Sequence, residues 1–288
     1  MRKFNKILMI MLLVLGVFAY NYSDYAVDAK VRVKSSSKSK LLSEKSKKKN
    51  SNKSTRKVKS NKQTPRVKKV TRKPSKSSEK FKEELKKSKS FYDIKSIPDF
   101  DGHTPFVVLN NNIPDFSKEG KLPNRYEVYS ELDSKNRVGE AVALLGLDTM
   151  PTEKRGKIGM VKPSGWQTIK FDIVDGRYLY NRSHLIGFQL AGENANKKNL
   201  MTGTRYFNVT GMLPFENMVA DYIKETKNHV MYKITPIFKD NELVARGIIM
   251  QAKSVEDNGE GISFNVYVYN NQPGITIDYK TGKAVLSK

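Results

Sequence analysis

The chain has 288 residues, a formal net charge of +24 and no cysteine. The lack of cysteine excludes disulfide cross-links, thiolate metal sites and cysteine nucleophiles. The sequence also contains no GxxxxGK[ST], HExxH or GxSxG motif, so P-loop, zinc-protease and α/β-hydrolase chemistry have no support.

The first 29 residues are predicted to direct export. Basic residues precede an apolar run from Ile7 to Tyr20, and small residues follow at Val27-Asp28-Ala29. The run is shorter than the ~20 residues that span a bilayer comfortably. The sequence leaves open a cleaved signal peptide or a retained N-terminal membrane anchor. Either one predicts a protein that is secreted or held at the outer face of the cell membrane.

Residues 30–90 are predicted to be a disordered, Lys/Ser-rich basic linker. Between Lys30 and Lys80 there are 21 Lys and Arg residues against the two acids Glu44 and Glu79, a net charge of +19. Residues 1–29 carry a further +1, so only +4 of the total remains for residues 81–288. Such a segment buries too little apolar surface to offset the entropy of ordering. It is interpreted as a solvated spacer, as an arm that binds DNA, anionic membrane or cell-wall polymer without sequence preference, or as both.

The ordered part of the chain is predicted to begin near Phe91 and to run to residue 288, after a short charged helix in 78–90. A buried strand is expected at Phe106–Leu109, ending in the Asn110-Asn111-Asn112 turn. A hairpin is expected from 126–132 and 138–145. Three further short strands are predicted at Gly156–Trp166, Phe171–Val174 and Leu185–Gln189, the first of them followed by a loop.

A helix is predicted from Leu213 to Lys227, because apolar residues recur at helical spacing and Pro214 is tolerated in a first turn. Three alternating runs follow at 229–238, 243–252 and 262–269, separated by polar turns. This order of elements predicts an α+β fold around an antiparallel sheet.

One histidine, His184, lies in a pattern that indicates phosphodiester chemistry. It sits in Asn181-Arg182-Ser183-His184, and Asn208 follows 24 residues later and Glu216 eight residues after that. An imidazole can act as a base near neutral pH. An amide oxygen can bind a hard metal ion, and a carboxylate can hold its water, so the three groups suffice to cut a phosphodiester.

This segment, from about Tyr126 to Ile275, resembles the DNA/RNA non-specific endonucleases, and most closely the secreted or surface-anchored streptococcal DNases and DNA-entry nucleases. The motif of that family reads Asp-Arg-Gly-His, with a downstream metal-binding asparagine and a glutamate on the same helix. The chain departs from it at Asn181 and Ser183. The resemblance implies a ββα-metal (His-Me finger) core and makes 91–288 a nuclease domain.

The resemblance also implies a role for each residue. His184 activates water, Asn208 binds Mg²⁺ with Mn²⁺ as a substitute, and Glu216 supports the water shell of the metal. Arg182 and Arg205 stabilise phosphate charge. Two weaker candidates for contact with substrate are Arg155 and Gln167. The substrate is DNA, with RNA as a second possibility, and low sequence specificity is expected. The oligomeric state is not indicated.

Other interpretations of these residues remain open. Asn208 could cap a helix and Glu216 could be an exposed first-turn acid. His103 and His229 are interpreted as a loop residue and a strand-end residue, and Trp166 as core packing. The alternative function is a non-catalytic surface protein that binds DNA or another polyanion, which the departures at Asn181 and Ser183 would suit.

Overall fold

The computed structural model describes residues 76–123 and 125–288. The predicted signal peptide or anchor, and the predicted linker up to residue 75, lie outside the described residues. No helix within the described part of the chain is long and apolar enough to cross a membrane.

The described chain combines helices with mostly antiparallel strands. In chain order the elements are α1 (Lys76–Lys87), β1 (Ser90–Phe91), β2 (Phe106–Leu109), β3 (Glu127–Tyr129), β4 (Ala141–Leu145), β5 (Tyr180–His184), α2 (Phe188–Ala191), β6 (Leu200–Thr204), α3 (Leu213–Thr226), β7 (Val230–Ile237), β8 (Gly247–Ser254), β9 (Ser263–Tyr269), β10 (Ile275–Ile277) and β11 (Ala284–Leu286). Short 3₁₀ turns occupy Ile94–Ser96, Asn110–Asn112 and Lys197–Asn199, and a π-helical turn occupies Phe207–Met212.

Seven of these strands form the central sheet in the order β1-β2-β9-β8-β7-β4-β3, in which only the β1–β2 pair is parallel. The predicted strand at Phe106–Leu109, the hairpin of β3 and β4 and the meander of β7, β8 and β9 are confirmed, with shorter strands in the hairpin. The predicted α+β fold with an antiparallel sheet is therefore confirmed.

The two faces of the sheet are covered in different ways because strand residues alternate between them. On one face, α3 buries Phe215, Val219 and Ile223 against the core. On the other face, polar side chains fasten the segment 112–119. Lys233 forms a buried ion pair with Glu119 at 2.7 Å, and Gln251 Oε1 accepts from the Asp115 amide at 2.6 Å.

Helix α1 belongs to the folded unit. Leu85 is 3% exposed within the main core, and the Phe81 ring packs edge-on against Phe215 with centroids 4.9 Å apart. The predicted start of order near Phe91 is therefore too late, because the apolar face of α1 completes this part of the core. The other predicted boundary, at residue 29, stays a prediction.

Three predicted strands are wrong. Gly156–Trp166 is irregular, Phe171–Val174 contributes only a turn, and Leu185–Gln189 leads into α2. The strand is instead the histidine motif itself, β5, which pairs antiparallel with β6. The pairing requires glycine at Gly203, where a Cβ would lie 2.3 Å from Ser183 Oγ and 2.6 Å from Phe207 Cδ1. β5 and β6 contain polar residues and a glycine, so a pattern of alternating apolar residues does not reveal them.

Replacing Leu85 with alanine tests whether α1 is part of the core. We expect Leu85→Ala to lower the free energy of unfolding by about 2–5 kcal/mol, because the truncation leaves a cavity among buried side chains. Leu147→Ala is the matched control, since Leu147 is 44% exposed and should change stability little. Chemical denaturation of both variants decides the point, and equal midpoints would place α1 outside the core.

Candidate active site

Six of the seven predicted site residues meet in one cleft of about 820 Å³. Its walls come from β5, from the irregular segment 155–168, and from the chain between β6 and the first turn of α3. The cleft is lined by Arg155, Arg182, His184, Arg205, Asn208 and Glu216, together with Trp166, Tyr178, Tyr180, Asn181 and Gln189. The sequence spacing of the candidates therefore corresponds to a shared site.

Two strands and a helix build this cleft. His184 ends β5, β6 returns beside it, and the chain then enters the π-helical turn that carries Asn208. Thr204 Oγ1 accepts from the Phe207 amide at 3.0 Å and fixes the start of this turn. Wide helical turns of this kind are frequent at functional sites, because they turn a side chain out of the regular register. Helix α3 continues from the turn and presents Glu216 in its first turn.

His184 is buried, and both of its ring nitrogens have partners. Nε2 lies 2.8 Å from the Asn194 carbonyl oxygen, so it must carry the proton and donate. Nδ1 then has the lone pair, and Arg155 Nη2 donates to it at 3.3 Å. Burial lowers the pKa of His184, and the charge of Arg155 lowers it further. The imidazole is therefore neutral near pH 7, with Nδ1 as its basic atom.

Glu216 is recessed in the same cleft. Burial raises the pKa of its carboxyl to about 7, while a hydrogen bond from Gln189 and the charge of Arg155 oppose this rise. Gly187 lets the carboxylate approach, since a Cβ at Gly187 would lie 2.9 Å from Glu216 Oε2. A carboxylate held this way favours a nearby cation. The alternative of an exposed first-turn acid is wrong.

Asn208 does not cap α3, because the helical backbone is continuous through the π-helical turn and α3 begins without a side-chain cap. Its side-chain amide makes no hydrogen bond with any residue that the structure describes. The amide oxygen therefore remains available to a ligand in the cleft.

Arg182 has a structural task within the site. Its Nη2 donates to the Gly159 carbonyl at 2.8 Å, its Nε donates to the Val161 carbonyl, and its guanidinium lies 3.9 Å from the centre of the Trp166 ring. These contacts fasten the irregular segment to β5. Trp166 is half-buried in the cleft wall and also packs against the small hydrophobic cluster that contains Leu179, so its interpretation as core packing holds in part.

The other two arginines are less constrained. Arg205 forms an ion pair with Asp175, with Nη2 to Oδ2 at 2.8 Å, and Arg155 is exposed with only the long contact to His184. Both line the cleft. Each can turn toward an anion without breaking a buried interaction.

Gln167 lies outside the cleft, contrary to its prediction as a substrate contact. Its amide donates to the Thr281 carbonyl at 3.1 Å, and Tyr180 Oη donates to the neighbouring Gly282 carbonyl at 3.0 Å. The residue therefore braces the cleft wall against the C-terminal hairpin of β10 and β11. The prediction failed because the two neighbouring side chains point to opposite sides of the wall. Trp166 faces the cleft, and Gln167 faces the C-terminal hairpin.

The remaining predictions for this region concern histidines and motif departures. His229 Nδ1 pairs with Glu256 at 2.6 Å at a strand end, and His103 is an exposed loop residue.

Asn181 lines the cleft, whereas Ser183 is buried against Gly203 with no hydrogen-bond partner for its hydroxyl. The serine that replaces the glycine of the family motif therefore affects the stability of the fold and does not change the lining of the cleft.

Sequence reasoning missed the role of Gln189. It bonds to the Glu216 carboxyl and donates from Nε2 to Asn217 Oδ1 at 3.0 Å. Its position five residues after His184 placed it near the motif, but the helix α2 that aims it was not predicted.

Known nucleases resemble this chain in sequence and in fold. The family model for the DNA/RNA non-specific endonuclease matches residues 117–256. Just under half of the chain therefore resembles this family. A deoxyribonuclease of Streptococcus dysgalactiae subsp. equisimilis is 34% identical over 112 residues, which cover 36% of this chain and 32% of that protein. The chain thus spans about a third of the length of that curated relative.

Two crystal structures of NucA from Streptococcus agalactiae have a similar fold. The one with a magnesium ion bound is 24% identical, with a TM-score of 0.58, and covers 72% of this chain and 97% of that chain. The one with no metal bound is 25% identical, with a TM-score of 0.57, and covers 72% and 96%. The likeness therefore extends over nearly the whole of NucA.

The tautomer of His184 can be measured directly. We expect nitrogen NMR to show Nε2 protonated and a pKa below 6.5, because burial and Arg155 both disfavour the charged ring. Arg155→Ala should raise this pKa, while Lys154→Ala, at the exposed neighbour, should leave it in place. A proton on Nδ1 at neutral pH would contradict the arrangement.

Proposed function

We propose that this chain is an exported, Mg²⁺-dependent endonuclease that hydrolyses phosphodiester bonds of DNA with little sequence preference and accepts RNA as a second substrate. The observation that carries the proposal is the oriented Nδ1 of His184 in a cleft that also contains Asn208 and Glu216. The match of residues 117–256 to the endonuclease family model supports it. The export signal predicted in residues 1–29 supports action outside the cell or at its surface.

The donors in the cleft fit a hard divalent cation. Asn208 offers an amide oxygen without a protein partner, and Glu216 offers a desolvated carboxylate. Within the described chain no three His, Asp or Glu side chains cluster as a metal site, so water and phosphate oxygens would complete the coordination. Mg²⁺ retains water readily and suits such a site, and Mn²⁺ is the expected substitute.

In the proposed reaction His184 Nδ1 removes a proton from a water molecule. The water oxygen attacks phosphorus and the bond to the 3′-oxygen breaks. The departing 3′-oxygen takes a proton from a water molecule in the cleft, and the imidazolium returns its proton to solvent, so the products carry a 5′-phosphate and a 3′-hydroxyl. The Asn194 carbonyl holds Nε2–H throughout and stabilises the imidazolium that forms. When bound, the metal ion neutralises charge on the phosphate and on the departing oxygen.

The arginines complete the site. In the free protein Arg155 donates to Nδ1, so it has to move away before water can occupy that position. A phosphate oxygen gives it a stronger, charge-assisted partner. Arg205 offers a second guanidinium from the opposite wall, with Asp175 holding it in place. Arg182 holds the cleft wall in place through its contacts with Trp166 and the segment 159–161.

Plasmid digestion with Mg²⁺ tests the proposed activity. We expect EDTA to abolish cutting and His184→Ala to lower kcat by about 10²–10⁴-fold, because the general base is lost. His103→Ala is the matched control and should cut like the unaltered protein. Since protonation removes the base, kcat/KM should fall as pH drops through the lowered pKa of His184, below the usual 6.5. Equal cutting by His184→Ala would exclude this residue as the base.

The alternative is a surface protein that binds polyanions without cleaving them. It predicts binding of DNA in Mg²⁺ without product, and loss of that binding when residues 30–75 are removed. Cutting by the fragment 76–288, which retains α1, would exclude it.

The contact between Gly187 and Glu216 gives a test of the carboxylate. We expect Gly187→Ala to lower kcat roughly 10–100-fold, because the added methyl group displaces the carboxyl by a fraction of an ångström or more. Gly159→Ala is the control, since a Cβ there meets no atom within 4 Å. Circular dichroism should show both variants folded. Unchanged kcat in Gly187→Ala would remove Glu216 from the reaction.

A further inference from the structure

Tyr178 stands at the outer part of the cleft wall. It is 49% exposed, lines the same cleft as His184, and its hydroxyl makes no hydrogen bond with any described residue. A single exposed tyrosine is ordinary. Tyr178 differs because backbone hydrogen bonds fix its position and the positive charge of Lys170 lies beside its ring.

A tight hairpin fixes the position of Tyr178. Lys170 and Tyr178 pair across an antiparallel bridge, and Leu179 donates to the Ile169 carbonyl at 3.0 Å. The Arg205 amide donates to the Leu179 carbonyl at 2.7 Å, which joins the hairpin to the end of β6. The ring is therefore presented to the cleft by backbone hydrogen bonds on both of its sides.

The charges beside Tyr178 suit a nucleic-acid strand. Lys170 Nζ lies 4.5 Å from the centre of its ring and forms no salt bridge with a described residue. The nearby acids are engaged, since Asp175 pairs with Arg205 at 2.8 Å and Asp172 with Arg177 at 2.7 Å. A phosphate that follows the cleft thus meets an available ammonium next to an aromatic ring.

Trp166 is less suited to stacking, because the guanidinium of Arg182 covers its ring at 3.9 Å. Tyr178 has its cation at a longer distance and remains half exposed. Of these two aromatic rings in the cleft wall, Tyr178 is the one that offers a surface to a base.

We propose that Tyr178, with Lys170 beside it, forms a subsite that stacks an unpaired nucleobase away from the bond being cut. The proposal rests on the proposed nuclease function and deepens it by assigning a subsite that only the single-stranded part of a nucleic-acid substrate can occupy. Bases of an intact duplex are paired and stacked on one another, so their faces cannot reach the ring. Tyr178 lies six residues before His184, so the two residues are at most about 20 Å apart along the chain, a length that spans a few nucleotides.

The test combines tyrosine variants with a modified oligonucleotide. Tyr178→Ala should raise KM for a single-stranded oligonucleotide roughly 5–100-fold and leave kcat unchanged, because base stacking on an aromatic ring contributes binding only. Tyr178→Phe keeps the ring and should behave like the unaltered protein. Tyr92→Ala removes a tyrosine that is 73% exposed outside the cleft and is the second control. Cleavage of a duplex and of a dinucleotide should not change.

A single abasic site, moved one nucleotide at a time along the oligonucleotide, locates the stacked base. The unaltered protein should bind weakly when the abasic site reaches one register, and Tyr178→Ala should lose this dependence on position. Equal KM for Tyr178→Ala and the unaltered protein, or a positional penalty that persists in the variant, would overturn the subsite. If the unaltered protein cuts nothing, the proposed function fails, and fluorescence anisotropy in EDTA with the same oligonucleotides still decides the role of Tyr178.

Discussion

The hydrogen bond from His184 Nε2 to the Asn194 carbonyl is the interaction on which the site depends. It assigns the ring proton to one nitrogen and leaves Nδ1 with a lone pair inside the cleft. Burial of the ring disfavours the charged form and lowers the pKa of His184, and it outweighs the hydrogen bond to the Asn194 carbonyl, which raises that pKa. Without that carbonyl, the same buried imidazole could adopt the other tautomer and present a proton where a base is needed.

Close packing of backbone around two glycines brings the remaining groups within reach of this imidazole. Gly187 leaves room for the Glu216 carboxylate, and Gly203 lets β6 pack on Ser183 and on the ring of Phe207. A Cβ at Gly187 would displace the Glu216 carboxyl, and a Cβ at Gly203 would collide with Ser183 and the Phe207 ring. The wide turn at Phe207–Met212 then presents Asn208 from the connection between them. The helix itself is held by the large core beneath the sheet, to which α1 also contributes.

The wall that carries Trp166 is stabilised by a part of the chain beyond the segment that matches the family model. A Cβ at Gly282 would lie 1.9 Å from the Gly165 carbonyl oxygen, so the C-terminal turn and the cleft wall are in direct contact. Gln167 and Tyr180 bond to the same turn. The shape of the cleft thus depends on the last strands of the domain as well as on the motif.

The sequence by itself indicated the candidate site residues and determined much of the sheet. The resemblance to the endonuclease motif selected His184, Asn208 and Glu216 as candidates, and alternating apolar residues located β7, β8 and β9, because these strands bury one face against the core. Local patterns failed where polar residues line a cleft. For this reason β5 and β6 were missed, Gln167 was assigned to the wrong side of the wall, and the contribution of α1 was underestimated.

Only the tertiary structure decided which groups face one another. The acceptor for His184 Nε2 is a backbone carbonyl, which every residue possesses, so no side-chain pattern could reveal it. The raised pKa of Glu216 and the engagement of Arg182 with Trp166 follow from burial and stacking between segments distant in the sequence. Residue types and spacing are properties of the chain, whereas desolvation and hydrogen-bond direction arise only when separate segments pack together.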